Sequence, residues 1–181
     1  RTVWNAMIER RPALAVRCLG VAEELRSGYL EMWSEIQPYW REVSKQVDGH
    51  GYIEQYVSKR RRGIDRAPAA ANSYFQGLAS EGAKRAVVQL TKEMYLDRAS
   101  PLFGSRLTVF AHDESIIDIP EVSTRHVHDA AQRQAAVMIQ GMKSVVPDVA
   151  IKAEPALMRY WYKQAEPVFN DEGLLVPWEP K

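Results

Sequence analysis

Two runs of strand-forming residues enclose a short charged segment at positions 106–120, where the sequence is RLTVFAHDESIIDIP. The residues on either side of the charged triplet are rich in β-branched and apolar side chains, and a proline closes the second run. Runs of this kind separated by a few polar residues are typical of an antiparallel hairpin. We therefore expect two paired strands with His112, Asp113 and Glu114 at the tip.

Helical periodicity accounts for three longer parts of the chain. Residues 22–47 repeat apolar side chains at helical spacing, with an interruption at Pro38. Residues 67–96 form the longest periodic segment. Ser123 or Thr124 can cap a third helix. The apolar face predicted for the longest helix consists of Ala71, Phe75, Leu78, Gly82, Ala86, Leu90 and Met94.

Short alternating segments predict additional strands. Residues 52–57 and 148–154 alternate apolar and polar side chains, as half-buried strands do. The tail, residues 155–180, is rich in aromatic residues and prolines, and we expect it to pack against the rest as irregular structure. A mixture of helices and antiparallel strands predicts an α+β fold. A chain of 181 residues is long enough for a domain with its own core.

Composition limits the environment and the classes of partner. With 46% hydrophobic and 26% charged residues, the chain has the composition of a soluble globular protein. No apolar run approaches the roughly 20 residues that cross a bilayer, so no membrane partner is expected. Cys18 is the single cysteine and has no intramolecular partner, which favours a reducing, cytoplasmic compartment. The net charge is only +1, but residues 59–62 form a cationic block.

The hairpin tip has two interpretations. A carboxylate held by two strands is suited to bind a metal ion, because a metal ligand must be kept at a fixed point. Alternatively, Asp113 simply begins a turn, where aspartate is common because it hydrogen-bonds its own backbone.

The longest helix carries an uncharged polar face. Asn72 and Gln76 are four residues apart, and Ser80 continues the same face. Amide groups can donate hydrogen bonds to the acceptors that line the minor groove of a duplex, although such a face can also be merely solvated. Gly77 would permit the close approach of another backbone. The cationic block upstream suits phosphate contacts, with a solvated loop or a targeting signal as the alternatives.

Two further groups of residues could form a zinc site or a base-stacking site. A zinc site could use His126, His128 and Asp129, but histidines two residues apart on a helix point to different faces, so we expect surface residues. An aromatic group could stack on bases, although packing in the core or the tail is the favoured prediction for it. This group consists of Tyr39, Trp40, Tyr160 and Trp161.

Three segments, in their order along the chain, carry a resemblance to a known family. They are GYIEQYVSKRRRG, AANSYFQGLASEGAKRAV and LTVFAHDESIIDIP. Together they resemble the C-terminal part of the polymerase domain of family A DNA polymerases, the bacterial and phage DNA polymerase I type. The resemblance implies a partial palm, with the hairpin packed on long helices, and the base of the fingers. It assigns residues 1–50 to a fingers-derived helical segment and residues 51–181 to the C-terminal half of the palm.

The resemblance also implies roles for individual residues. Asp113 matches the palm carboxylate that binds catalytic Mg²⁺, and Glu114 matches the neighbouring, supporting acid. His112 matches a residue near the primer terminus. Asn72 and Gln76 match the helix, here 71–90, that follows the minor groove of the primer–template.

The basic loop and the reaction follow from the same resemblance. Arg60, Arg61 and Arg62 match a loop that touches backbone phosphates. The implied activity is addition of deoxynucleotides from their triphosphates to a primer 3′-end by two-metal phosphoryl transfer. The setting implied is the bacterial nucleoid or a phage-infected cell. The alternative is a non-catalytic, polymerase-derived DNA-binding module or subunit.

The family pattern is incomplete in this chain. A second palm aspartate, from an Asp-Tyr-Ser-type motif, has no match here, so we expect it in an N-terminal polymerase half on the same chain or on a separate subunit. This chain alone is then expected to be inactive. The positions of the family's fingers helix that contact the nucleotide would fall at Arg1, Asn5, Ala6, Glu9 and Arg10. These residues depart from the family pattern, and no nucleotide-binding role is assigned to them.

Overall fold

Five α-helices form the larger part of the fold. A computed structural model of the chain describes residues 2–64 and 66–180. The helices are α1 (Thr2–Arg10), α2 (Pro12–Met32), α3 (Ile36–His50), α4 (Ala67–Tyr95) and α5 (Thr124–Lys143). Among the described residues, no helix combines the length and the apolar character that a membrane span requires.

In the described part of the chain, seven short strands form three small sheets. The strands are β1 (Tyr52–Glu54), β2 (Arg61–Gly63), β3 (Arg106–Ala111), β4 (Glu114–Asp118), β5 (Leu157–Met158), β6 (Val168–Phe169) and β7 (Leu175–Trp178). β1 pairs with β2 and β3 with β4, both antiparallel. In the tail, β7 lies between β5, to which it is parallel, and β6, to which it is antiparallel. Helices with small, mainly antiparallel sheets confirm the α+β prediction.

The chain divides into two compact units. One consists of Arg1–Glu54 and Arg61–Ser73, and the other of Gln55–Arg60 and Tyr74–Lys181. The assignment of residues 1–50 to fingers and of 51–181 to the palm stays a prediction.

The first unit has a small core beside the β1–β2 hairpin. Val43 and Val47, one turn apart on α3, are buried, and Ile53 of β1 is fully buried. α3 ends at Gly51, whose φ of 66° lies in the left-handed region that glycine adopts without strain. This turn leads directly into β1.

The second unit holds the larger core, where α4, α5 and the β3–β4 hairpin meet. One face of α4 and one face of α5 supply the fully buried side chains, and the hairpin packs on them. The residues of this core are Ala86, Leu90, Met94, Leu102, Ala130 and Val137, with Leu107, Ile117, Ile119 and Met138 packed against them. The apolar residues whose spacing predicted these elements are therefore the residues through which the helices and the hairpin pack together.

An ion pair between a half-buried arginine and a buried glutamate also joins α4 to α5. The Arg133 guanidinium donates from Nε to Glu93 Oε2 at 2.8 Å and from Nη2 to Oε1 at 2.6 Å. Gln89 and Ser100 donate two further hydrogen bonds to the same carboxylate. These four donors hold the pKa of Glu93 at about 2, with the Arg133 hydrogen bond as the largest cause.

Some sequence-based predictions were wrong in detail. The helix break lies at residues 33–35 and not at Pro38, which is the third residue of α3. A proline is tolerated there because the first N–H groups of a helix have no intrahelical acceptor.

Ser123 is the cap of α5, and its Oγ accepts a hydrogen bond from the His126 N–H.

The strand predictions were wrong at three places. β1 is shorter than the predicted 52–57, and residues 148–154 form no strand. The tail is not irregular throughout, since it contains β5, β6 and β7. Its turn is built on Asn170, whose Oδ1 accepts hydrogen bonds from the N–H groups of Glu172 and Leu174. Phe75, predicted on the apolar face of α4, is 64% exposed.

The helices α4 and α5 approach closely at two glycines. A Cβ placed on Gly141 would lie 2.7 Å from the Ala86 Cβ and 2.7 Å from the Gly82 carbonyl oxygen. A Cβ on Gly82 would lie 2.9 Å from the Met142 Cα. Only glycine fits at this crossing, because main-chain atoms lie in the way.

Gly141→Ala is therefore expected to destabilise the protein by about 2 kcal/mol, since overpacking outweighs the better helix propensity of alanine. Urea unfolding followed by circular dichroism measures this loss. The matched control is Gly28→Ala in the interior of α2, where an added Cβ meets nothing within 4 Å. That variant should gain roughly 0.5–1 kcal/mol. An equal gain at Gly141 would contradict the close crossing.

Candidate functional site

The predicted hairpin is present, and its tip is a two-residue turn. His112 and Asp113 occupy the turn, while Glu114 begins β4 and pairs with Ala111. The predicted tip triplet is therefore split, with two residues in the turn and one in the strand. Such a tight turn fixes the direction of the strands on both sides of Asp113.

His112 has a left-handed backbone conformation. Its φ is 55°, which costs a residue with a Cβ roughly 1–2 kcal/mol relative to glycine. A two-residue hairpin turn of type I′ or II′ needs a positive φ at its first central residue, so the turn itself accounts for this conformation. It was not predicted from the sequence.

Three contacts fix the hairpin below its tip. Leu107 and Ile117 pack against the core of the second unit. A register shift between Leu107 and Val109 bends β3, and the Thr108 hydroxyl there donates to the Ile116 carbonyl oxygen at 3.1 Å. The tip is thus carried on a base that is anchored in the core.

Gln134 of α5 adds a hydrogen-bonded anchor next to the carboxylates. Its Nε2 donates to the carbonyl oxygen of Ser115 at 2.7 Å and to the Ser115 Oγ at 2.8 Å. Ser115 directly follows Glu114, so this contact positions the start of β4. Gln134 was not predicted to be a site residue, because nothing in the sequence distinguishes it from the other glutamines of α5.

Asp113 and Glu114 are both exposed, and both border a groove of about 340 Å³ in the second unit. Neither carboxylate forms an ion pair with any described residue. One side of the groove is the hairpin, another is α5 and the third is the C-terminal segment. The lining includes Asp113, Glu114, Gln134, Lys152, Glu154, Trp161, Tyr162 and Lys163.

The carboxylates at the tip suit a hard divalent cation in part. Mg²⁺ is usually bound through one or two carboxylates together with substrate phosphates, so Asp113 and Glu114 have the donor chemistry for it. Within residues 2–64 and 66–180, no three His, Cys, Asp or Glu side chains are grouped to hold a metal ion. The pair is therefore not by itself a complete metal site.

One of the three residues considered for a zinc site at α5 is already engaged in a hydrogen bond. His128 Nδ1 accepts a hydrogen bond from the Leu175 N–H at 2.9 Å, which ties the tail to α5. His126 and His128 are half-buried, so the prediction of surface histidines was wrong. His128 is a structural residue in this arrangement.

The amide face of α4 lies where the sequence predicts. Asn72, Gln76 and Ser80 are all exposed. The atoms nearest to a Cβ built on the neighbouring Gly77 would be those of the Gln55 side-chain amide. Gln55 thus occupies the space that glycine leaves.

The three arginines of the cationic block differ in their contacts. Arg61 forms an ion pair with Glu54 at 3.1 Å and lies over the Tyr52 ring. Arg62 donates from Nη1 to the Ser73 Oγ at 2.8 Å. The Arg60 side chain is exposed and has no ion pair with the described residues. Arg60 is therefore the one most available for a phosphate.

The segment matched to the fingers helix is α1. Asn5, Ala6, Glu9 and Arg10 lie in it and are exposed, whereas Arg1 lies outside the described residues. The aromatic residues predicted to pack behave differently from one another. Tyr39 is half-buried and its hydroxyl donates to the Ala71 carbonyl oxygen, but Trp40 is exposed.

Comparison of the chain with family models, with curated proteins and with solved structures finds no match. Function is therefore inferred from the motifs and from the geometry of the β3–β4 hairpin and the α4 amide face.

Proposed function

We propose that this chain is part of a family A DNA-directed DNA polymerase and supplies the carboxylate-bearing half of its palm. The observation that carries the proposal is the β3–β4 tip, where Asp113 and Glu114 are exposed beside a groove and are not neutralised by any described cation. Two exposed carboxylates on a core-anchored hairpin have the oxygen donors and the fixed position that a hard cation requires.

Asp113 and Glu114 would hold Mg²⁺ in this proposal. The metal would supply charge neutralisation at the triphosphate and activation of the primer 3′-hydroxyl. The residues of this chain contribute position. Gln134 and the packed base of the hairpin keep the carboxylates in place, and His112 would lie next to the primer terminus.

Further carboxylate ligands would come from an N-terminal polymerase half, on the same chain or on a separate subunit. Two Mg²⁺ ions need more oxygen ligands than Asp113 and Glu114 provide. An exposed apolar stripe on α2 offers this partner a surface, because such stripes commonly mark protein contacts. Its large residues are Leu14, Val21, Leu25, Tyr29 and Met32.

Primer–template DNA would bind along the α4 amide face. Asn72 and Gln76 can donate to minor-groove acceptors, whose pattern differs little between base pairs. Arg60 would contact backbone phosphate directly. Arg61 and Arg62 would have to exchange their contacts with Glu54 and Ser73 to do the same.

Primer extension tests the activity. This chain together with the N-terminal polymerase half is expected to extend a primer with deoxynucleoside triphosphates and Mg²⁺, and each half alone is not. Failure of the joined halves to extend any primer, with DNA binding retained, would favour the second candidate, a non-catalytic DNA-binding module. The exposed amide face of α4 supports that candidate, because it can bind DNA without a metal.

Gln76→Ala is expected to raise the dissociation constant for primer–template about 3–10-fold, since one hydrogen bond to DNA is lost. The effect should be nearly independent of base sequence. Electrophoretic mobility shift on several duplexes measures it. Gln132→Ala, which removes an exposed glutamine from α5, is the matched control and should bind like the unchanged chain. A strong sequence preference, or equal affinities for the two variants, would contradict the minor-groove role.

A further inference from the structure

Three consecutive aromatic residues of the C-terminal segment are open to solvent. Tyr160 is 88% exposed and Trp161 is 61% exposed, and Tyr162 is exposed too. Packing was the favoured prediction for Tyr160 and Trp161, so that prediction was wrong. Exposed aromatic side chains next to a groove indicate a binding surface more strongly than scattered ones do.

The last residue of this aromatic run is held in place. The Tyr162 ring stacks on the Trp178 ring, with centroids 5.0 Å apart and planes inclined by 16°. The Tyr162 N–H also points to the Met158 Sδ at 3.2 Å. Tyr162 is fixed to β7 and β5 in this way, and the adjacent Trp161 lies at the groove with its ring open to solvent.

The same side of the groove carries positive charge. Lys152 and Lys163 both line it, and neither forms an ion pair with the described residues. Arg159, in contrast, is engaged by Glu121 through two hydrogen bonds of 3.0 Å. The groove therefore has two carboxylates at the hairpin tip, and its C-terminal side carries the aromatic rings and two lysines together with one carboxylate, Glu154.

We propose that the C-terminal side of this groove binds an unpaired nucleotide of single-stranded DNA. The base would stack on Trp161 and Tyr162, and the flanking phosphates would contact Lys152 and Lys163. Aromatic side chains interleaved with lysines are the usual chemistry of single-strand binding, because every base has a face to stack.

Size and charge favour this occupant over a duplex. The groove volume of about 340 Å³ is near the lower end of the range for small-ligand sites, which fits one nucleotide. Asp113 and Glu114 on the opposite side repel a second phosphate backbone unless cations intervene. The site is distinct from the α4 amide face, and its use does not require nucleotide addition.

Fluorescence anisotropy with the purified chain tests the inference. The probe is fluorescein-labelled oligo(dT) of about 12 nucleotides, within the site sizes of single-strand binders, in EDTA at neutral pH. Trp161→Ala is expected to weaken binding at least about 10-fold, and Trp161→Phe should retain most of the affinity. Lys152→Ala and Lys163→Ala should each reduce the salt dependence of log K by about 0.7.

The control is Trp40→Ala, which removes an exposed tryptophan from α3 and should bind like the unchanged chain. Thymidine monophosphate and a blunt duplex are used as competitors, and both should compete only in large excess. Equal affinity of Trp161→Ala and the unchanged chain would overturn the inference, as would binding of the mononucleotide or the duplex as tightly as the oligonucleotide. Because the assay contains no triphosphate and no Mg²⁺, its failure leaves the proposed polymerase role of Asp113 unaffected, and the converse also holds.

Discussion

Asp113→Asn is expected to lower nucleotide addition by the complete polymerase by about 10³-fold or more, because a neutral amide is a poor ligand for Mg²⁺. Affinity for primer–template should change little, since the amide and basic groups assigned to DNA are unaltered. Single-turnover primer extension measures the chemical step separately from DNA binding.

The control for this variant is Asp118→Asn in β4, the strand that follows the turn. Asp118 is exposed at the other end of β4, so the change in charge is identical while the tip is untouched. Both variants should fold as the unchanged chain does, because both side chains are exposed and surface substitutions usually have small effects on stability. Full extension activity in Asp113→Asn would refute the metal role.

Arg133→Met is expected to destabilise the fold by about 3–5 kcal/mol, because it leaves the Glu93 carboxylate buried without its main partner. Glu93 is only 3% exposed, so water can replace the two lost hydrogen bonds only in part. Urea unfolding at neutral pH measures the loss. Replacing both residues, as Glu93→Leu with Arg133→Met, should recover much of it, since buried ion pairs add little over an apolar pair.

The same pair predicts how stability depends on pH. The pKa of Glu93 is about 2 in the folded protein and 4.5 for the free group, so the unfolded chain takes up a proton first as the pH falls. The contribution of Glu93 is present in full above about pH 4.5 and is lost as the pH falls toward 2. The difference amounts to about 3 kcal/mol.

The exposed pair of Glu121 and Arg159 provides the control for both experiments. Its carboxylate also has a lowered pKa, caused by the Arg159 hydrogen bonds, but both groups are in solvent. Glu121→Gln should therefore leave the unfolding free energy unchanged within error. A loss for Glu121→Gln equal to that of Arg133→Met would show that burial is not the cause.

The elements that sequence predicts well are those with a local signal. Alternation and a short polar break predict the β3–β4 hairpin, and apolar residues every third or fourth position predict α4. The cap at Ser123 is likewise a local signal. The exposure of Asp113 and of the amide pair Asn72 and Gln76 follows from the same patterns, because these residues lie off the apolar faces.

Features that depend on distant contacts could not be predicted in this way. β5 and β7 are far apart in sequence and pair only because the chain folds back on itself. Two of the tail prolines also argue against strands in a local reading of the sequence, because proline is uncommon inside strands. The anchoring role of Gln134 depends on Ser115, which lies opposite it only in the folded chain. The groove itself combines the hairpin, α5 and the C-terminal segment, so no single stretch of sequence signals it.

Metal rescue of Asp113→Cys tests the central claim most directly. A thiolate at this position is a poor ligand for Mg²⁺ but accepts softer ions. Primer extension by the complete enzyme carrying Asp113→Cys should be nearly absent in Mg²⁺ and should rise at least about 10-fold when Mn²⁺ or Cd²⁺ replaces it. Asp118→Cys should show no such dependence. Extension by Asp113→Cys in Mg²⁺ at the rate of the unchanged enzyme would contradict the assignment of Asp113 as a metal ligand.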